Sequence, residues 1–148
     1  MRTRPLALAV ALLLAGAACA FAAPPAGAAG GGGFVNIADA FAVEGDTGLT
    51  PMFFLLQRVE SYDAACTVSV VPLNGTATWP SDWYPQGANI TFAPGQQYAI
   101  FTLWVLPDDA PEPVLEHLYA VVAGADGCGI ADGAAVGWIV DDDAPTGP

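Results

Sequence analysis

The sequence predicts an all-β fold, a seven-stranded antiparallel β-sandwich of immunoglobulin-like type, on three observations. From Val35 onward the chain consists of short segments rich in Val, Ile, Phe and Thr. Gly, Pro, Asn and Asp separate these segments, as turns between strands require. No stretch sustains an apolar period of 3.6 residues, so no helix is expected.

Strands are expected over residues 35–43, 52–58, 66–72, 88–92, 98–106, 117–123 and 134–140. The first ends at Glu44-Gly45-Asp46, and the second carries the apolar run Met52 to Leu56. In the third, Thr67 and Ser69 take one face while Val68 and Val70 take the other, before Asn74-Gly75 turns the chain. The fourth, Ala88 to Phe92, stops at Pro94-Gly95. The fifth alternates Ile100, Thr102 and Trp104 with Phe101, Leu103 and Val105, a composition that predicts burial on both faces. The sixth and seventh are short Val- and Ala-rich segments, the last ending at Asp141. Seven such strands in about 110 residues most often pack as two sheets.

The N-terminus is of another kind. Arg2 and Arg4 precede an apolar run from Pro5 to Ala18, followed by small residues, which is the pattern of a secretory signal peptide with cleavage expected after Ala22. The run is too short to span a bilayer comfortably, so no membrane span is expected in the mature chain. Residues 23–33 are Ala, Gly and Pro and read as a tether, residues 34–143 as one domain, and residues 144–148 as a tail. A secreted or extracellular location follows, with association at the cell surface compatible with it. With the leader removed, only Arg58 opposes fifteen acids, a net charge near −14. Nucleic acid binding, which needs clustered Lys and Arg, is excluded, and so is attraction to anionic membranes.

The placement of the acids matters more than their number. If successive strands alternate in direction, ten of the fifteen fall at one end: Glu44, Asp46, Asp82, Asp108, Asp109, Glu112, Glu116 and Asp141 to Asp143. Carboxylates gathered from four segments without basic partners would repel one another, whereas a calcium ion takes six to eight oxygen ligands. Cys66 and Cys128, the pair left after leader removal, both fall at the opposite end and are expected to form a disulfide in an exported protein. His117 is the sole histidine, and neither Gly-x-Ser-x-Gly nor His-x-x-x-His occurs, so no catalytic residues are assigned and no enzyme is expected. Trp79, Trp83 and Tyr84 are expected to pack beneath the connection that carries them.

The motif order is Val43-Glu44-Gly45-Asp46, Asn74-Gly75-Thr76-Ala77, Ser81-Asp82-Trp83, Ile90-Thr91-Phe92-Ala93-Pro94-Gly95, Val105-Leu106-Pro107-Asp108-Asp109 and Ile139-Val140-Asp141-Asp142-Asp143. In that order, and over nearly all of the mature segment, the chain resembles the Calx-β domain family, found in sodium/calcium exchangers and in bacterial surface proteins. The resemblance implies a seven-stranded sandwich binding calcium at one end through Glu44, Asp82, Asp108, Asp109, Glu112, Asp141, Asp142 and Asp143. Glu112 and Glu116 stand one residue further apart than the family's usual pair, which leaves Glu116 outside that set. The implied function is an extracellular calcium-binding module for adhesion or cell communication, with an extracellular protein as a further partner. The alternative is a structural or protein-interaction sandwich of little calcium affinity.

Overall fold

The alternating segments form nine strands in the computed structural model, which describes residues 31–109 and 112–143. The predicted leader, most of the Ala/Gly/Pro segment and residues 144–148 lie outside those residues. The strands are β1 (Phe34–Ile37), β2 (Ala40–Val43), β3 (Thr50–Val59), β4 (Cys66–Asn74), β5 (Ala88–Phe92), β6 (Tyr98–Val105), β7 (Leu115–Asp126), β8 (Gly129–Asp132) and β9 (Ala134–Val140). They form a four-stranded sheet in the order β6-β3-β1-β8 and a five-stranded sheet in the order β2-β9-β7-β4-β5.

The expected count of seven is therefore corrected to nine. The first predicted strand divides because its inward residues change phase: Val35 and Ile37 face the core, then Ala40 and Ala42. That three-residue step at 37–40 moves the chain from one sheet to the other. β8 was not expected; together with β9 it makes the same passage, with Gly133 between them. The purely antiparallel expectation is corrected as well. β1 pairs with β8 and β2 with β9 in parallel, because the first and last segments run in the same direction side by side.

The core lies between the sheets and contains Phe54, Phe92, Phe101, Leu103, Leu118 and Ile139, with the rings of Phe54 and Phe101 5.9 Å apart. Burying each such side chain contributes about 1.5–3 kcal/mol. β6 is not buried on both faces as its composition suggested. Phe101, Leu103 and Val105 point inward, whereas Ile100 is 57% exposed, because only one face of the four-stranded sheet is covered. Trp83 is buried, but Trp79 and Tyr84 are exposed rather than packed under their loop.

One end of the sandwich is closed by covalent and polar contacts. Cys66, opening β4, is bonded to Cys128, just before β8, so the disulfide joins the two sheets, with Cα atoms 5.5 Å apart. Beside it Arg58 is fully buried on the inward face of β3. Its Nε and Nη2 donate to the Gly32 carbonyl at 3.1 and 2.7 Å, and Nη1 donates to the carbonyls of Tyr62 and Gln96. The guanidinium also lies over the Phe92 ring, 5.8 Å from its centroid. A Cβ on Gly32 would come 1.7 Å from the Gly127 carbonyl oxygen, so only glycine fits there. Arg58→Met would fill similar volume but strand the Gly32 carbonyl without a donor. A loss of about 2 kcal/mol is expected, measured by denaturant unfolding.

Candidate metal centre

The other end gathers four segments: residues 44–49 after β2, 75–87 after β4, 106–109 and 112–114 after β6, and 141–143 after β9. The second is drawn in by backbone pairing. Trp83 bridges Val105, Tyr84 N–H donates to the Trp104 carbonyl, and Leu106 N–H donates to the Asp82 carbonyl. Trp83 anchors the segment in the core, and the Trp79–Pro80 peptide bond within it is cis. This docking sets Asp82, 4% exposed, beside the end of β6. One Asp82 oxygen, Oδ2, is held by the Thr78 N–H.

Glu44, the first residue past β2, is equally buried, and its Oε1 has no hydrogen-bond partner. Its backbone N–H continues the ladder to the Val140 carbonyl at 2.9 Å, and its own carbonyl accepts the Thr50 hydroxyl. Burial, and then the charges of Asp108, Glu112, Asp82 and Asp141, push its carboxyl up to about 7. Glu112 is also pushed up to about 7, by burial first and then by Asp82, Glu116 and Asp108. It shares a hydrogen bond with Glu116, whose own carboxyl is raised mainly by burial and by Asp82. Carboxylate oxygens of Asp82, Glu112 and Glu116 lie within 4.8 Å of one another.

Asp141 connects this inner group to the chain around it. Its Oδ2 accepts the Glu112 N–H at 2.9 Å, and its Oδ1 accepts the Asp143 N–H at 2.8 Å. Further out, Oδ1 of Asp142 accepts the Gly45 N–H at 2.8 Å, tying the two segments together. The Asp143 carboxyl is raised by local burial and then by Asp46, Asp141, Asp142 and Asp109. Of the eight residues expected as ligands, Glu44, Asp82, Asp108, Glu112 and Asp141 thus form an inner group, and Asp109, Asp142 and Asp143 an outer one.

Two further acids lie with these groups, Glu116 with the inner one and Asp46 beside Asp143 in the outer one. Glu116 pairs with the inward Ile139 and precedes the buried Leu118 by two residues, so strand alternation alone turns it toward the interior. That phase was readable in the sequence and outweighs the unusual spacing from Glu112. The donor set of the inner group is all oxygen and anionic, which suits a hard divalent cation better than zinc or copper. A buried carboxylate oxygen without a partner, faced by four other acids, is the feature that such a cation would satisfy.

Among solved structures, the fold matches CBD12 from CALX1.2 and the calcium binding domain CBD12 of CALX1.1, each with a TM-score of 0.65 and 21% identity over 74% of this chain. The chain spans 45% and 46% of those two chains. The apo-form Calx CBD1 domain is similar over 74% of this chain and 99% of its own length, with a TM-score of 0.61 and 20% identity. No protein-family model matches the chain, and no curated protein does. The likeness is one of architecture, and by it the chain folds as a Calx-β-like domain.

Proposed function

We propose that the protein is a non-catalytic calcium-binding module of the extracellular space, whose ions order the four acidic segments and relieve the repulsion among them. Glu44 carries this reading: a buried carboxylate with an orphaned oxygen, surrounded by Asp82, Asp108, Glu112 and Asp141. Glu116 joins Asp82 and Glu112 in the ligand set of the inner group. Asp109, Asp142 and Asp143, with Asp46, supply a second group that shares Asp141 with the first. The shared fold with a domain described as calcium binding supports the same assignment. Secretion through residues 1–22 and a role in adhesion or cell communication belong to this proposal. No helix among the described residues is long and apolar enough to cross a membrane.

Calorimetric titration tests the site. Calcium is expected to bind with an affinity of about 10⁻⁴ to 10⁻³ M and, at about 1 mM, to stabilise the fold by on the order of 1 kcal/mol. Asp82→Asn keeps an acceptor for the Thr78 N–H but loses its charge, so binding should vanish while the fold stays intact. Asp63→Asn and Asp126→Asn, which remove the same charge far from the site, should leave binding unchanged. Equal losses from all three would mean that calcium only screens the net charge. Magnesium, which needs near-octahedral geometry, should bind poorly.

A further inference from the structure

The first and last strands of the described residues lie side by side, and both run from the disulfide end to the acidic end. β1 lies parallel to β8, and β2 lies parallel to β9 with Ala40, Phe41, Ala42 and Val43 opposite Gly137, Trp138, Ile139 and Val140. The chain enters β1 at the disulfide end, where Arg58 holds Gly32, and leaves β9 at the acidic end. Tension applied through the two chain ends would pull these parallel segments past each other along their length. We infer that the domain is a tension-bearing element, with the parallel β1·β8 and β2·β9 ladders as a shear clamp.

Bonds outside the ladders support this assignment. Where the first segment changes sheets the backbone pairing is interrupted, and side chains fill the gap. Asp39 Oδ1 accepts the Val136 N–H at 2.8 Å, and Asn36 Oδ1 accepts the Asp132 N–H at 3.1 Å. At the entry end the Gly129 N–H donates to the Gly33 carbonyl, and at the exit end the Glu44 N–H donates to the Val140 carbonyl. Each of these bonds joins the first segment to the last. The bonds of a parallel ladder are evenly spaced along the strands, so a pull along the strands loads several of them at once, whereas a pull across the strands loads them one after another. The Cys66–Cys128 bond closes the chain between its two cysteines, so the first rupture can release only residues outside that loop.

Single-molecule force spectroscopy on the full chain, in chelator, tests the clamp without reference to calcium. One pulling geometry uses handles at the N- and C-termini. The other uses the N-terminus and an attachment at Ala93→Cys, an exposed position in the β5–β6 connection at the disulfide end, so that β1 is peeled away. At equal loading rate, end-to-end rupture is expected to need the greater force, because the evenly spaced ladder bonds share the load. Asp39→Ala, which removes the acceptor of Val136 N–H, should lower the end-to-end force and leave the peeling force unchanged. Reduction should lengthen the released chain. Equal forces in the two geometries, or equal weakening of both by Asp39→Ala, would overturn the proposal. Neither result would bear on calcium binding, which titration measures separately.

Discussion

Reduction of the Cys66–Cys128 bond is expected to lower the free energy of unfolding by up to about 4 kcal/mol. The two residues are 62 apart in sequence, and in the chain-entropy account a cross-link over that span removes roughly this much freedom from the unfolded ensemble. The bond also joins the sheets beside the Arg58 contacts. The fall in Tm should be on the order of 15 °C for a domain of this size. Calcium affinity should change little, because the bond and the acidic segments lie at opposite ends of the strands. Denaturant unfolding with and without reductant, and of the Cys66→Ala, Cys128→Ala double variant, measures the effect. Identical unfolding curves for oxidised and reduced protein would show that the cross-link does not constrain the unfolded chain.

Much of this architecture is legible in the sequence where a residue has one plausible environment. Val68 and Val70, alternating with Thr67 and Ser69, face the core as that pattern predicts, and β4, β5, β6 and β9 form close to where alternation places them. Acids in four separate connections converge because strand direction is fixed by strand count along one side of the sandwich. Three features escaped for physical reasons. The sheet change at 37–40 is a one-residue slip of phase, marked in the sequence only by Asp39 on what would otherwise be the apolar face of Val35, Ile37, Phe41 and Val43. The outer face of β6 is Tyr98, Ile100, Thr102 and Trp104, a composition that fits either a buried or an exposed sheet face. Arg58 gives no sign in the sequence of being a buried hub, because its partners are backbone carbonyls, which every residue carries. Glu116 was the opposite case. Its alternation with Leu118 and Ala120 is visible in the sequence, whereas its spacing from Glu112 points the other way.

Without calcium, the protein is expected to gain stability as the pH falls from 8 to 5, the reverse of ordinary acid weakening. Glu44 is pushed from 4.5 to about 7 in the folded state, so between those values the native state holds a proton that the unfolded chain has released. Stability tied to that proton is fully present below pH 4.5 and is lost as the pH rises through 7. At 1.36 kcal/mol per pH unit, Glu44 alone accounts for about 3 kcal/mol, and Glu112 acts in the same direction. Calcium should remove this dependence, because an ion bound by carboxylates competes with their protons and contributes most where those protons are absent. Its stabilising effect should therefore be larger at pH 8 than at pH 5, with protons released on binding near neutral pH. Glu44→Gln separates the two roles of this carboxyl. The neutral amide should raise the stability of the calcium-free protein at pH 8 and flatten its pH profile, yet weaken calcium binding at least about tenfold through loss of a charged ligand. Urea unfolding at pH 5 and pH 8, in chelator and in calcium, reads all of these effects. A calcium-free protein that becomes steadily more stable from pH 5 to 8, or a Glu44→Gln variant that binds calcium normally, would show that the acidic end is solvated rather than built around an ion.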